Sequence, residues 1–119
     1  AFHAGWPYCH DLNMVALTHP NVYISLSLLM PWWFNAPRRL AEIIGEAIQF
    51  AGEDRIVWGS DFVGAGGLIR LSVQALREFE MPEDLQHGYG YAPVTEEVKR
   101  NIFGENLARL LMIESIRRV

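Results

Sequence analysis

The sequence predicts an α/β fold in which parallel strands alternate with helices. Two observations carry this reading. Short segments rich in β-branched and aromatic residues, at 22–27 and 56–59, are separated by stretches whose apolar residues recur every three to four positions. Consecutive strands are therefore joined through helices, which implies right-handed βαβ units and a parallel sheet. A third observation concerns size. Three strands leave two open edges, and a closed eight-stranded barrel of this kind takes roughly 250 residues. With 119 residues, the chain is expected to be the closing part of such a barrel, residues 1–119 forming a single partial domain.

Taken in order, residues 1–5 read as the tail of a strand that ends in a glycine turn, with His3 at its carboxyl end. Residues 7–17 read as a helix opened by Pro7, with Leu12, Val15 and Ala16 on one side. His19-Pro20-Asn21 stops it, because the residue before a proline is pushed out of the helical region. A second strand at 22–27 feeds a loop at 28–36 that holds Met30, Trp32, Trp33 and Phe34. Pro37 opens the clearest helix, whose Leu40, Ile43, Ile44, Ala47, Ile48 and Ala51 form one apolar stripe ending at Gly52. A third strand and a glycine loop follow, then a helix marked by Leu68, Leu71, Ala75, Leu76 and Phe79. Residues 81–93 read as a connection. Thr95 caps the next helix, Gly104 is expected to break it, and 106–116 form a last helix with Leu107, Leu110, Leu111 and Ile113 turned inward.

Composition excludes several classes of function. The formal charge is -4 and the only basic clusters are Arg38-Arg39 and Arg117-Arg118, which argues against a nucleic-acid partner. No apolar run approaches the roughly 18 residues of a membrane helix. One cysteine can form neither an internal disulfide nor a zinc-thiolate cluster, so a reducing, cytoplasmic setting is expected.

The chain is organised around Arg55-Ile56-Val57-Trp58-Gly59-Ser60-Asp61-Phe62. Asp61 follows the strand directly, at the edge where a parallel sheet with helical crossovers collects ligands and catalytic groups. His3 occupies the corresponding place two strand and helix units earlier. Groups on different strands of a barrel converge at that face, so the two could share a metal or a substrate. Read alone, His3 is more simply a satisfied core histidine, and Asp61 could cap the next helix or close a turn.

Four segments resemble successive signatures of the amidohydrolase-related metal-dependent enzymes. They are His3-Ala4-Gly5-Trp6-Pro7, the stretch from His19-Pro20-Asn21 to Ser27, the stretch from Asp54 to Phe62, and Glu97-Val98-Lys99-Arg100-Asn101-Ile102-Phe103-Gly104-Glu105-Asn106-Leu107-Ala108-Arg109-Leu110-Leu111. The branch suggested includes aminocarboxymuconate-semialdehyde decarboxylase and γ-resorcylate decarboxylase. The resemblance implies the C-terminal portion of a (β/α)8 TIM barrel, strands 6 to 8 with their helices plus the terminal helices. It implies that His3 contacts substrate or assists proton transfer, or is a ligand in two-metal members, and that Asp61 binds the metal and can act as base. The cofactor implied is a divalent ion, zinc above manganese or magnesium. The reaction implied is decarboxylation or hydrolysis of a small cyclic or aromatic carboxylated substrate. The expected partners are that substrate, the missing N-terminal barrel strands or a partner chain that supplies them, and further copies of the chain in a homo-oligomer.

The same resemblance exposes departures. The family's first-strand metal pair and fifth-strand ligand have no counterpart here, and Val63 stands where many members have proline. The chain alone is therefore expected to be inactive, and a non-catalytic, barrel-completing interaction module is the alternative. Trp32, Trp33 and Phe62 could wall a pocket for a flat substrate, or be core or interface residues. His10 and His19 read as surface or capping groups, and His87, Tyr89 and Tyr91 as lying away from the chemistry. Cys9 lacks the basic surroundings of a nucleophile. The glycines at 64–67 lack the lysine and spacing of a nucleotide loop.

Overall fold

The computed structural model describes residues 1–62, 64 and 66–113. Its elements are α1 (Cys9–Thr18), β1 (Ile24–Ser25), α2 (Pro37–Ala51), β2 (Ile56–Val57), α3 (Gly66–Glu78), α4 (Glu83–Tyr89), α5 (Glu96–Arg100) and α6 (Asn106–Leu110). β1 and β2 pair in parallel, with Ile24 opposite Ile56 and Ser25 opposite Val57. Ala1 extends the sheet on the other side of β1: its amine donates to the Tyr23 carbonyl (2.6 Å) and its carbonyl accepts from Ser25 N–H (2.8 Å). Three segments thus lie side by side in chain order. They do not close into a barrel among the described residues, and the strands are shorter than expected. The first segment turns at once into a 3₁₀ turn at His3–Gly5 instead of running on as a strand.

Strand alternation decides the two faces of the sheet. Ile24, Leu26 and Ile56 are fully buried on one face. Tyr23, Ser25 and Ser27 of the first strand, with Val57, Gly59 and Asp61 of the second, line a cleft on the other. The expected stripe of α2 is buried in full, from Leu40 to Ala51. Each such Leu or Ile contributes roughly 1.5–3 kcal/mol. The helix ends where expected because Gly52 takes φ 88°, a conformation open to glycine. Gly45 gives α2 a further gap. A Cβ there would come within 2.2 Å of the Tyr91 ring, so Tyr91 seats against the helix only because that side chain is missing.

Several expectations change in three dimensions. Pro7 precedes the first helix, which starts at Cys9 and buries Cys9, Asn13 and Ala16 while Val15 is exposed. Residues 28–36 contain a 3₁₀ turn, Met30–Phe34. The stripe of α3 is rotated: Ser72, Ala75 and Leu76 are buried and Leu68 and Leu71 are exposed. Ser72 is drawn in because its Oγ accepts from Trp58 Nε1 at 3.3 Å. Gly66 and Gly67 are helical rather than loop, while Val63 and Ala65 lie outside the described residues. The connection at 81–93 contains α4, anchored by the fully buried Leu85.

Gly104 does not break the terminal segment. Thr95 caps α5 as expected, its Oγ1 accepting from Val98 N–H, and the backbone then passes into α6 through a π turn at Asn101–Glu105. That turn presents the Ile102 carbonyl to Trp58 N–H (3.0 Å). Asn106 Nδ2 donates to the carbonyls of Glu53 and Ile56, both at 2.7 Å. The outer edge of β2 is thereby satisfied by side chain and turn. Leu107, Leu110, Leu111 and Ile113 are consequently exposed, not inward, and residues 114–116 of the expected helix lie outside the described residues.

At the opposite end of the sheet from Asp61, one guanidinium gathers the helix ends. Arg55 Nε donates to the Ala51 carbonyl (2.7 Å), and its Nη1 donates to those of Ala16 (2.9 Å), His19 (2.9 Å) and Val22 (3.3 Å). The last carbonyls of a helix have no partner within it, so one side chain ends α1, ends α2 and aligns the chain leading into β1. Arg55→Met should lower stability by about 3 kcal/mol, since orphaned carbonyls cost about 1–3 kcal/mol each. Arg55→Lys should recover less than half, because an ammonium lacks the planar fork. Urea midpoints measure both, and a loss under about 0.5 kcal/mol for the methionine variant would contradict the role.

α1 and α2 are also joined by a titratable pair. His10 Nδ1 lies 2.7 Å from Glu46 Oε1, and Asn13 Nδ2 donates to Glu46 Oε2 (2.9 Å). The hydrogen bond to Glu46 raises the His10 pKa above its usual value of about 6.5. A raised folded-state pKa means the stabilisation is complete below about pH 6.5 and disappears as pH rises through the higher folded value. Denaturant midpoints should therefore fall across that window, and Glu46→Gln should flatten the profile. A profile identical in the variant would remove the pair from the account.

Candidate active site

Three chain segments leave the sheet at the same end, and each does so through a left-handed residue that is not glycine: His3 (φ 55°), Leu28 (φ 67°) and Asp61 (φ 56°). Histidine and aspartate tolerate that region better than most residues, and leucine tolerates it poorly. Such positions cost of order 1–3 kcal/mol each and cluster at functional sites. Here they turn two side chains toward each other. His3 Nε2 lies 3.4 Å from Asp61 Oδ2, with the two side chains 38% and 50% exposed.

The imidazole is held from its other side by the end of the neighbouring strand. His3 Nδ1 lies 3.1 Å from the carbonyl oxygen of Ser27 and 3.1 Å from its Oγ, and His3 N–H donates to the same Oγ (3.3 Å). Ser27 is itself fixed, its N–H donating to Ser25 Oγ (3.3 Å). When Nδ1 donates to the carbonyl, Nε2 of the neutral ring carries a lone pair, 3.4 Å from a carboxylate oxygen. Two acceptors so placed repel unless a proton or a cation lies between them.

The separation itself tests whether a divalent ion fits. Ligands at the zinc distances of about 2.0–2.2 Å, spread tetrahedrally, stand about 3.4 Å apart. His3 and Asp61 fit as two neighbours around one ion, at a spacing longer than the 2.7–3.2 Å of an ordinary nitrogen to oxygen hydrogen bond. They do not make a complete site: among the described residues no group of three His, Cys, Asp or Glu side chains could hold a metal. Catalytic zinc is usually held by three protein ligands, and this pair offers two.

A cleft of about 320 Å³ opens beside Asp61, bounded by Tyr23, Ser25, Ser27, Val57, Trp58 and Gly59, with Ala1, Phe2 and Leu107 at its sides. A larger hollow of about 570 Å³ lies beside Arg100, Phe103 and Arg109 and contains neither member of the pair. Size does not mark the site here; the chemistry does. The aromatic candidates stand outside the cleft lining. Trp32 packs edge-on against Trp6 (centroids 5.1 Å apart), and Trp33 packs against Phe79 (5.3 Å). Phe62 is half-buried and adjoins Asp61 in the chain. His19 caps α1, its Nδ1 lying 3.1 Å from the Val15 carbonyl. Cys9 is buried, and burial pushes its thiol pKa up, away from nucleophilic use.

Sequence reasoning singled out His3 and Asp61 and passed over Ser25 and Ser27. The signal was the alternation Ile24-Ser25-Leu26-Ser27, which puts two small polar side chains on the face opposite two large apolar ones.

Two parallel strands joined through a helix, with a histidine and an aspartate meeting beyond their carboxyl ends, are the arrangement of an α/β fold with helical crossovers. The chain belongs to the amidohydrolase family, whose family model matches residues 2–113. No curated protein and no solved structure matches. Membership brings a TIM-barrel-type fold and a family of enzymes, hydrolases and lyases among them, that generally use divalent metals. Among the described residues no helix is long and apolar enough to cross a membrane.

Proposed function

We propose that this chain forms strands 6 to 8 and the closing helices of a metal-dependent amidohydrolase barrel. Its reaction is decarboxylation or hydrolysis of a small cyclic or aromatic carboxylated substrate. The observation that carries the proposal is the 3.4 Å approach of His3 Nε2 to Asp61 Oδ2, made by residues 58 positions apart in the sequence and reached through left-handed backbone at both. Zinc is the ion we favour, because one imidazole nitrogen and one carboxylate oxygen at tetrahedral spacing suit it.

The ion, when bound, would polarise a substrate oxygen or acidify a water. The chain's own residues do the rest. Asp61 would hold one position at the ion and would accept a proton where water is the nucleophile. His3, anchored at Nδ1 by Ser27, holds Nε2 beside Asp61 at the edge of the cleft, where it would contact substrate or pass a proton. The small side chains of Ser25, Ser27 and Gly59 leave room for a flat ring, and Trp58 and Val57 supply apolar wall. Of the aromatic candidates, Phe62 adjoins Asp61 in the chain and is half-buried. Trp32 and Trp33 are engaged with Trp6 and Phe79.

A second reading, a non-catalytic module that completes a barrel, is favoured by one observation: the described residues offer two donors and no third. Zinc titration of the purified chain separates the two readings. Asp61→Asn and His3→Gln should each weaken zinc binding at least about tenfold, the least expected from losing a ligand when outer partners alone are worth 10–100-fold. His19→Gln should change it little. Unchanged affinity in both site variants would remove the metal role and favour the module.

A further inference from the structure

His3 and Ser27 make a closed polar arrangement with one open choice in it. The Ser27 carbonyl and the Ser27 hydroxyl both lie 3.1 Å from His3 Nδ1, and the hydroxyl oxygen also accepts from His3 N–H. Ser27 is 3% exposed, so water competes little for these groups. Among the described residues neither the hydroxyl proton nor the carbonyl oxygen of Ser27 has any other partner.

The two groups ask for opposite protonation of the ring. A carbonyl can only accept, so it holds the proton on Nδ1. A hydroxyl can donate, so it holds Nδ1 bare and leaves the proton on Nε2. Whichever tautomer forms, one buried group of Ser27 goes unpaired, and the two costs are of the same kind. Ser27 therefore holds the tautomers near balance, so that a charged group near Nε2 can tip them while both groups of Ser27 are present. That group is Asp61, whose Oδ2 is 3.4 Å away. A bare carboxylate favours N–H at Nε2, whereas a cation between the two favours a lone pair there.

We propose that Ser27 is a positioning residue whose hydroxyl and carbonyl together let His3 change tautomer, donating at Nε2 in one state and offering a lone pair in the other. The change leaves the charge of the ring unaltered. One proton leaves one nitrogen to solvent and one is taken from solvent at the other, while the Ser27 hydroxyl keeps its own. The zinc arm of the test below rests on the proposed metal role; the assignment of Ser27 does not.

The test is nuclear magnetic resonance of the 119-residue chain labelled with ¹⁵N at histidine. His3 is assigned with His3→Gln, and long-range proton to nitrogen correlations are read at one alkaline pH where imidazoles are neutral. Metal-free protein is expected to carry the His3 proton mainly on Nε2, and zinc ion alone should move it to Nδ1. Ser27→Ala removes the hydroxyl and keeps the carbonyl, so it should show mainly Nδ1–H without zinc, and Ser27→Thr should restore the native pattern. If Ser27→Ala does not fold, Ser27→Cys makes the same comparison, because a thiol is a weak donor. A folded Ser27→Ala protein that keeps Nε2–H overturns the assignment. Zinc that leaves native His3 unmoved, while Ser27→Ala still shifts it, supports Ser27 and overturns the metal role.

Discussion

Four carbonyl oxygens converge on the guanidinium of Arg55, and the geometry of the sheet depends on that convergence. They belong to the ends of two helices and to the residue that leads into β1. Because Arg55 itself stands immediately before β2, it fixes both strands at one level at their amino ends. Register then carries that level along the sheet, Ile24 against Ile56 and Ser25 against Val57. The strands consequently run out together at the other end, and the side chains of His3, Ser27 and Asp61 come within reach of one another. The Arg55 hydrogen bonds gather at one end of the sheet and the His3–Asp61 pair at the other, the division expected of parallel sheets with helical crossovers.

The chemical end is held in a conformation the chain would not choose unaided. Left-handed backbone at His3, Leu28 and Asp61 costs free energy that core burial elsewhere offsets. The return is direction: an imidazole nitrogen and a carboxylate oxygen are aimed at one point, with Ser27 locking the ring from behind. Such preorganisation is what a metal or a transferring proton requires, since neither can be steered by a mobile side chain. The cleft on this face is lined by serines, glycine and Asp61.

What could be read in the sequence was what depends on local pattern. The stripe of α2, framed by Pro37 and Gly52, appears in the structure with the bounds its periodicity gives. The places of Asp61 and His3 followed from a strand that stops at a carboxylate and a histidine that precedes a glycine turn. What escaped depends on partners far along the chain. Arg55 looked like an ordinary charge flanking a strand, yet its partners at Ala16, His19 and Val22 lie more than 30 positions away. Gly104 reads as a helix breaker, but the terminal segment runs through it as a π turn because Ile102 and Asn106 are held by β2. Leu68 and Leu71 fit a helical stripe that Ser72 does not, yet Ser72 is buried with Ala75 and Leu76 and accepts from the indole of Trp58. Ser27 was passed over because a hydroxyl gains meaning only from what lies across the strand.

Anomalous diffraction at the zinc edge, on crystals of the chain grown with zinc, tests the convergence of His3 and Asp61 most directly. The expected result is a peak about 2.0–2.2 Å from both His3 Nε2 and Asp61 Oδ2, with the Ser27 carbonyl still within hydrogen-bond distance of Nδ1. A peak bound elsewhere, or side chains of His3 and Asp61 turned apart with no ion between them, would contradict the account.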